Sequence, residues 1–179
     1  MLILWVIPIG IVLGIISGGR IDGLLAIRFR WAGLAVGGLL VQVALFTPLG
    51  DRLAGGLGPA VYIASTAAVF IAVVRNLGLP GIAVVAAGAL CNLIAITANG
   101  GAMPADPGAL AIAGFSGPGD YTNSVVLTDP AVRPLTDIFA LPAWFPTANV
   151  FSVGDVLIGL GVVVAIVAAM RRGDGGGMG

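Results

Sequence analysis

The sequence predicts an all-α integral membrane protein with five transmembrane helices and a long outer cap between the fourth and fifth helices. Two observations carry this prediction. Hydrophobic residues make up 59% of the chain and charged residues only 9%, against about 25% charged residues in an ordinary soluble domain. Five apolar runs also approach the length of about 20 residues that crosses a bilayer. At 179 residues, the chain is expected to form a single membrane domain, 1–179.

The five predicted helices follow the apolar runs in chain order. They cover about residues 1–17, 31–47, 59–74, 80–98 and 150–170. Several runs are short, so flanking residues must contribute to the span or the helices must stand nearly upright.

Small and polar residues inside these runs predict how the helices pack. Gly10, Gly14 and Gly18 share one face of the first helix, and Gly33 and Gly37 share one face of the second. Such faces let helix backbones approach closely, either within one bundle or between subunits. Gln42 lies in the middle of the second helix, where we expect it to hydrogen-bond a neighbouring helix.

The arginines predict the orientation of the helices. Six arginines lie in the links after the first and third helices and in the tail, whereas Arg52 and Arg133 lie on the opposite side. The arginine-rich side of a membrane protein faces the cytoplasm. The N-terminus is therefore predicted outside and the C-terminus inside. Because every basic residue is Arg and Ala, Gly and Val abound, the composition is typical of a GC-rich bacterial gene, which places the protein in a bacterial inner membrane.

The predicted outer cap, residues 99–149, contains seven of the eleven prolines. Loops of this length are functional or disordered, and the apolar pieces of this one favour an ordered cap over the bundle. Residues 109–115 are predicted to lie on the membrane surface, and residues 141–146 carry aromatics suited to a membrane interface. Its acidic residues are Asp106, Asp120, Asp129 and Asp137. Asp174 and the glycines after Gly173 are predicted to form a flexible tail.

The residue types that are missing exclude several kinds of site. The chain has no Glu, Lys or His. This rules out His-ligated haem or zinc, Glu-based di-iron centres and a Lys Schiff base, so we predict no metal and no cofactor. The single Cys91 is expected to pack in the core. The formal net charge of zero gives no reason to expect a nucleic-acid partner.

Two aspartates are the candidate catalytic residues. Asp155 lies just inside the fifth apolar run, and an ionisable residue within a membrane span predicts a functional site. Asp137 is eighteen residues earlier, and two carboxylates that meet at a membrane face can share a proton in an aspartyl active site. The alternatives are structural: Ser152 and Asp155 have capping-box spacing, and Asp137 is one turn from Arg133.

Three further polar residues are candidates for substrate binding. Asn92 and Asn99 lie two helical turns apart in the fourth helix, where both could face the outer cavity, and Ser152 precedes Asp155. The structural alternatives are an interhelical hydrogen bond for Asn92 and a helix C-cap followed by a turn for Asn99-Gly100-Gly101.

The chain resembles a family of bacterial multi-pass membrane proteins that is known only as a domain of unknown function. The resemblance rests on Gly18-Gly19-Arg20, the stretch 24–28, Gln42, Asn92-Leu93, the Asn-Gly-Gly-x-Met-Pro element at 99–104 and the Phe-Ser-x-Gly-Asp element at 151–155. It covers nearly the whole chain and implies no activity.

The last four helices also resemble the lipoprotein signal peptidases. The stretch 88–94 is similar to their Gly-Ala-Leu-Gly-Asn-Leu-Ile element, 136–139 to the element with their first catalytic Asp, and 145–155 to the element with the second. The resemblance implies Asp137 and Asp155 as a catalytic dyad at the outer face. The chain departs from the peptidases at Ala95-Ile96, where they have Asp-Arg, and at Ser152, where they have Asn.

Three functions are compatible with these features. The first is an intramembrane aspartyl hydrolase, similar to lipoprotein signal peptidase, that acts on a membrane-anchored peptide. The second is a non-catalytic small subunit or assembly factor of a larger membrane complex, with other membrane-protein subunits as partners. The third is a protein that binds membrane lipids or a quinone beneath the cap.

Overall fold

The computed structural model describes residues 3–115 and 124–172. Asp120 and the glycine-rich tail with Asp174 lie outside them. Eight α-helices and four short strands are present in the described ranges. They are α1 (Ile3–Ile16), α2 (Asp22–Leu25), α3 (Ala32–Leu45), α4 (Pro48–Ala54), α5 (Gly58–Val74), α6 (Ile82–Ala98), β1 (Met103–Pro104), α7 (Pro107–Ile112), β2 (Ser124–Val125), β3 (Phe139–Leu141), β4 (Asn149–Phe151) and α8 (Val153–Arg172). Short 3-10 turns span Gly55–Leu57 and Arg133–Leu135.

A helix forms in each of the five apolar runs, as α1, α3, α5, α6 and α8. Two helical stretches are long and apolar enough to cross a membrane, Pro48–Val74 with 27 residues and Val153–Arg172 with 20. The other three have 14, 14 and 17 residues, or about 21–26 Å at 1.5 Å per residue, against a hydrocarbon core of about 30 Å. Length alone therefore supports two spanning helices and leaves five as a prediction.

The long helices pack side by side in the order α3, α5, α6, α8, α1. Neighbours along this row alternate in direction except α8 and α1, which run parallel. Gly10 of α1 contacts Ile166 of α8, and Gly14 contacts Met170. Gly10 and Gly14 thus pack within the bundle as predicted, whereas Gly18 lies beyond the end of α1 and has no atom within 4 Å of a Cβ built on it.

The second helix packs through a different glycine from those predicted. Gly38 of α3 lies against Ser65 and Val69 of α5, whereas no atom lies within 4 Å of a Cβ built on Gly33 or Gly37. These two glycines border an open groove of about 420 Å³ between α3 and α5. Gly33 and Gly37 therefore do not pack within the bundle, and their packing between subunits stays a prediction. The neighbouring Gln42 does bond across the helices, donating from Nε2 to Oγ1 of Thr66 at 3.3 Å.

The six arginines of the links and the tail collect at one end of the bundle, which we call the arginine end (Arg20, Arg28, Arg30, Arg75, Arg171 and Arg172). The backbone N–H of Arg20 donates to the carbonyl of Met170, and the backbone N–H of Arg30 donates to Asn76 just after α5. Arg28 and Arg172 border one cavity. The opposite end carries Asp137 and Asp155, and we call it the aspartate end.

The cap segment (99–149) corrects the all-α prediction, because it contains β-structure. β1 and β2 pair in parallel, with Met103 opposite Ser124, and β3 and β4 pair antiparallel, with Phe139 opposite Phe151. Prolines hold the residues before them in extended backbone, and extended segments satisfy their N–H and C=O groups by pairing with each other.

The described part of the cap segment, 99–115 and 124–149, packs on the aspartate end. Ala105, Ala109, Leu110, Ala113 and Val150 form a small buried core. Ala109, Leu110 and Ala113 face this core, whereas Ile112 is exposed. The predicted contact of residues 109–115 with the membrane surface stays a prediction. The aromatic stretch contacts the start of α1: the indole N–H of Trp5 donates to Thr147 at 2.7 Å, and the Trp5 and Phe145 ring centroids are 5.3 Å apart.

Candidate functional site

The candidate residues gather where α6 and α8 meet beneath the cap segment. Two glycines allow this crossing. A Cβ on Gly88 of α6 would collide with the carbonyl oxygen of Gly154 in α8, and a Cβ on Gly154 would collide with Oδ1 of Asn92. The helices are thus close enough for Asn92 to reach the first turn of α8.

Asp155 is held by two residues, Asn92 and Ser152. Its Oδ1 accepts a hydrogen bond from Nδ2 of Asn92 at 2.9 Å. Its Oδ2 accepts from the backbone N–H of Ser152 at 3.0 Å and from the Ser152 hydroxyl at 3.2 Å. The N–H of Asp155 in turn donates to Oγ of Ser152 at 3.1 Å. Ser152 and Asp155 therefore form the capping box that their spacing predicts, and Asn92 ties this cap to α6.

Ser152 and Asn92 are joined directly as well, since the Ser152 hydroxyl lies 2.8 Å from Oδ1 of Asn92. Ser152 is fully buried, and Asp155 is partly exposed. Of these three polar side chains, Asp155 thus keeps some solvent access while its carboxylate is fixed in direction.

Asp137 is positioned by the chain that leaves α6. Its backbone N–H donates to the carbonyl of Pro104, and its carbonyl accepts from the N–H of Asp106, both at 2.9 Å. Its side chain is buried, with 5% exposed, next to Thr136 at 1%. The Thr136 hydroxyl donates to the Arg133 carbonyl at 2.8 Å. Asp137 thus lies under the cap segment, and hydrogen bonds to both its N–H and its C=O fix its backbone.

Tyr62 of α5 is under the electrostatic influence of both aspartates, and sequence reasoning missed it. Its side chain is buried against Ala95, Ile96 and Met103, and the carboxylates of both Asp137 and Asp155 act electrostatically on its phenol. Both carboxylates are therefore within electrostatic range of the same phenol. A tyrosine inside an apolar run carries little sequence signal, because its apolar body suits a core position equally well.

Arg133 contacts a different aspartate from the one its spacing suggested. Its guanidinium binds Asp106 at 2.8 Å, and the predicted pair with Asp137 is not among the ion pairs between described residues. The Arg133 hydrogen bond lowers the pKa of the Asp106 carboxyl, aided by the backbone N–H groups of Ala109 and Gly108. Asp106 is also the N-cap of α7, so this pair anchors the cap segment's own helix.

Asn99 caps α6, as its structural alternative predicts, and also fastens the cap segment. Gly100 and Gly101 follow it with φ of 69° and 87°, the left-handed backbone that favours glycine. Its Nδ2 donates to the carbonyls of Ala95 at 2.8 Å and Ala131 at 3.0 Å, and its Oδ1 accepts from the Ala131 N–H at 2.9 Å. The structure thus groups Asn92 and Ser152 with Asp155, whereas Asn99 binds the backbone of the cap segment.

No cluster of three or more possible metal-ligating side chains occurs within residues 3–115 and 124–172. The aspartate end offers two carboxyl groups, one held by hydrogen bonds and one buried beneath the cap segment, and a phenol on which both act electrostatically. Carboxyl and phenol groups can transfer protons.

Comparison with known proteins identifies the family and nothing more. No curated protein and no solved structure matches the chain. The model of a family of unknown function, DUF5317, matches residues 26–167. The matched region begins before α3, ends within α8 and includes all five candidate residues. The resemblance to a domain of unknown function is thereby confirmed, and the chain belongs to the DUF5317 family of unknown function.

Proposed function

We propose that the protein is a multi-pass inner-membrane protein with its aspartate end outside the cell membrane and its arginine end in the cytoplasm. Large apolar side chains are exposed along the helices, including Leu4, Ile7, Val12 and Ile15 of α1 and Leu39, Leu40 and Val43 of α3. Only 22% of each of the two long apolar windows is buried, whereas the core helix of a soluble protein is mostly buried. Lipid is the solvent that suits such faces.

The arginine distribution supports the same placement. Six arginines lie at one end and two at the other, as the positive-inside rule requires of a cytoplasmic end. Trp5, Trp144 and Phe145 lie at the aspartate end, where an aromatic belt would meet the outer interface. α1 and α3 are short for a span, and local thinning of the bilayer accommodates such helices at modest cost.

Within this placement, the function we propose is hydrolysis of a membrane-anchored peptide by Asp137 and Asp155. The supporting observation is that Asp155 is fixed by Asn92 and Ser152 at the aspartate end, where the carboxylates of Asp137 and Asp155 both act electrostatically on the Tyr62 phenol. The carboxylate of the pair takes a proton from a water molecule, whose oxygen attacks the scissile carbonyl carbon while the carboxylic acid protonates the carbonyl oxygen. Collapse of the resulting diol breaks the C–N bond and returns a proton to the amine, so no covalent intermediate forms.

The residues around Asp155 have defined parts in this proposal. Asn92 and Ser152 fix the direction of its carboxylate, and the free surface of Asp155 faces the substrate. The resemblance to lipoprotein signal peptidase suggests a lipid-modified signal peptide as the substrate class. Such a peptide would reach Asp155 from the membrane and Asp137 from beneath the cap segment.

The test is cleavage of a synthetic diacylglyceryl-modified signal peptide, labelled on both sides of the scissile bond, by the full chain in proteoliposomes. Asp137→Asn and Asp155→Asn are each expected to reduce turnover at least a hundredfold, since removing one member of a catalytic pair commonly costs 10²–10⁴. Asp129→Asn, an exposed aspartate of the cap segment, is the matched control and should retain turnover. Turnover in both dyad variants equal to wild type would refute the proposal.

A second function, that of a non-catalytic subunit or assembly factor, is favoured by the open groove between α3 and α5. Gly33, Gly37, Ala64 and Ala68 line it, and small residues of this kind let another transmembrane helix approach closely. Gly37→Leu would then abolish co-purification with the partner while leaving the Asp137 and Asp155 chemistry untouched. The third function, binding of a lipid or quinone beneath the cap segment, has no such specific observation behind it.

A further inference from the structure

A cavity of about 270 Å³ lies at the arginine end, far from the candidate dyad. Three elements enclose it: the link that contains α2, the start of α6 and the last two turns of α8. Its walls are largely apolar, formed by residues such as Gly23, Phe29, Leu79, Ile82 and Ala165. Arg28 and Arg172 are the charged residues that border it.

These two arginines have no anionic partner in the described part of the chain. Neither guanidinium forms a hydrogen bond or an ion pair with any residue in 3–115 or 124–172. The described acidic residue at this end is Asp22, which Arg20 binds at 3.4 Å. The cavity therefore combines an apolar interior with two positive charges at its border that no acidic side chain of the described residues neutralises.

The surrounding backbone is held in place, so the cavity does not depend on a loose loop. Oδ1 of Asn76 accepts from the N–H of Arg30 at 2.7 Å, and its Nδ2 donates to the Arg30 carbonyl at 2.8 Å. Asn76 is itself buried. On the other side, Gly23 lies against the backbone of Ala169 in α8. A binding site that is already formed loses little free energy to ordering when its ligand arrives.

We propose that this cavity binds an anionic phospholipid of the cytoplasmic leaflet. The phosphate lies between Arg28 and Arg172, whose planar guanidinium groups match phosphate geometry, and part of one acyl chain enters the apolar interior. The volume is below the 300–1,000 Å³ of a typical small-molecule site, so the remainder of the lipid stays in the bilayer. Basic pockets between transmembrane helices on the cytoplasmic side bind acidic lipid head groups.

The experiment titrates the full chain in neutral detergent with lipid and measures the shift in thermal unfolding temperature at each lipid concentration. Dioleoylphosphatidylglycerol should raise this temperature in a saturable way, whereas dioleoylphosphatidylcholine and inorganic phosphate should not. A response to inorganic phosphate as large as that to the lipid would assign the site to a free anion. Equal responses to the two lipids would show that the charge plays no part, and either result would overturn the proposal.

Matched arginine variants locate the binding. Because each basic residue near an anionic lipid contributes about 1 kcal/mol, Arg28→Gln and Arg172→Gln should each weaken the phosphatidylglycerol midpoint about fivefold, and the double variant about 30-fold. Arg171→Gln is the control. It removes the adjacent positive charge, but Arg171 does not border the cavity. An unchanged midpoint in the double variant would refute the site. All three arginines are exposed, so these changes spare the fold.

This proposal rests on the membrane placement proposed above but is independent of the hydrolytic chemistry. Asp137→Asn should abolish peptide cleavage and leave the lipid midpoint within twofold of wild type. Cleavage that persists in Asp137→Asn, with lipid selectivity intact, would refute the dyad alone. Peptide cleavage by a wild-type chain that does not distinguish the two lipids would refute the cavity alone.

Discussion

At the residue scale, two asparagines fasten distant segments to the two ends of the bundle. Asn76 follows α5 and binds both backbone groups of Arg30, and Asn99 ends α6 and binds both backbone groups of Ala131. Each also donates to the carbonyl four residues before it. Each asparagine side chain thus bonds the N–H and C=O of a distant residue and also a carbonyl at the end of its own helix. These backbone groups would otherwise be unpaired.

Replacing Asn99 tests whether this bond holds the cap segment. Asn99→Ala removes both hydrogen bonds to Ala131 and should destabilise the cap segment by about 1–3 kcal/mol, at roughly 0.5–1.5 kcal/mol per bond. Amide hydrogen exchange at Ala131 should become correspondingly faster. Thr128→Ala, an exposed change in the same segment, is the control. Unchanged protection of Ala131 in Asn99→Ala would contradict the assignment.

Variants of the capping box at the start of α8 distinguish a structural role of Asp155 from a catalytic one. Asp155→Asn keeps an oxygen that accepts from the Ser152 N–H, so the unfolding temperature should change little. Ser152→Ala loses the cap and the bond to Asn92, and should cost about 1–2 kcal/mol. Thermal unfolding of both variants in detergent makes this comparison. A larger drop in unfolding temperature for Asp155→Asn than for Ser152→Ala would mean that the negative charge of Asp155 itself stabilises the fold.

At the element scale, close approach of α6 and α8 brings Asn92 to Asp155. Gly88→Ala places a methyl group against the Gly154 carbonyl, and such overpacking costs about 1–3 kcal/mol. Gly37→Ala is the matched control, because open space surrounds that glycine and alanine is the better helix former by up to about 1 kcal/mol. The unfolding temperature should therefore fall for Gly88→Ala and stay level or rise for Gly37→Ala. Equal effects would show that the α6–α8 crossing is not tight.

The attachment of α7 should depend on pH through Asp106. Its pKa is lowered in the folded chain by Arg133, so the stabilisation is present above the unfolded pKa of about 3.9 and disappears as the pH falls through the folded value. Asp106→Asn keeps the helix cap but not the charge, and should be less stable at pH 7 by about 0.2–1 kcal/mol. The gap to wild type should close below about pH 4. A gap that is constant with pH would exclude this ion pair as its cause.

Local signals predicted the helices well. The apolar runs locate α1, α3, α5, α6 and α8 to within a few residues, because each helix is encoded by consecutive positions. Three short helices, α2, α4 and α7, were missed. For α4, Thr47 and Pro48 provide an N-cap followed by proline at the first turn, which is a recognisable start signal.

Contacts between distant residues were harder to predict. Three examples join segments that only the folded chain brings together. They are the pairing of β3 with β4, the bonds between Asn76 and Arg30, and the electrostatic influence of both aspartates on Tyr62. Arg133 illustrates the difficulty: helical spacing indicated Asp137, but Arg133 lies in a 3-10 turn that directs it to Asp106. The sequence therefore identified the candidate site residues by their type, but only the structure showed how they are arranged.

At the scale of the whole molecule, the two ends of the bundle differ in charge and in chemistry. Six arginines and the apolar cavity occupy one end, and the two aspartates with the cap segment occupy the other. Both proposed activities require these ends to lie on opposite sides of a membrane. The hydrolase needs its dyad at the outer face, and the lipid site needs the anionic cytoplasmic leaflet.

Site-directed labelling of single cysteines tests this two-sided placement most directly. In a Cys91→Ser background, Asp129→Cys reports the cap segment and Leu77→Cys reports the link between α5 and α6, and both positions are exposed. A membrane-impermeant maleimide should label Asp129→Cys only in right-side-out vesicles and Leu77→Cys only in inverted ones. Labelling of both positions from the same side, or with the sides exchanged, would contradict the account.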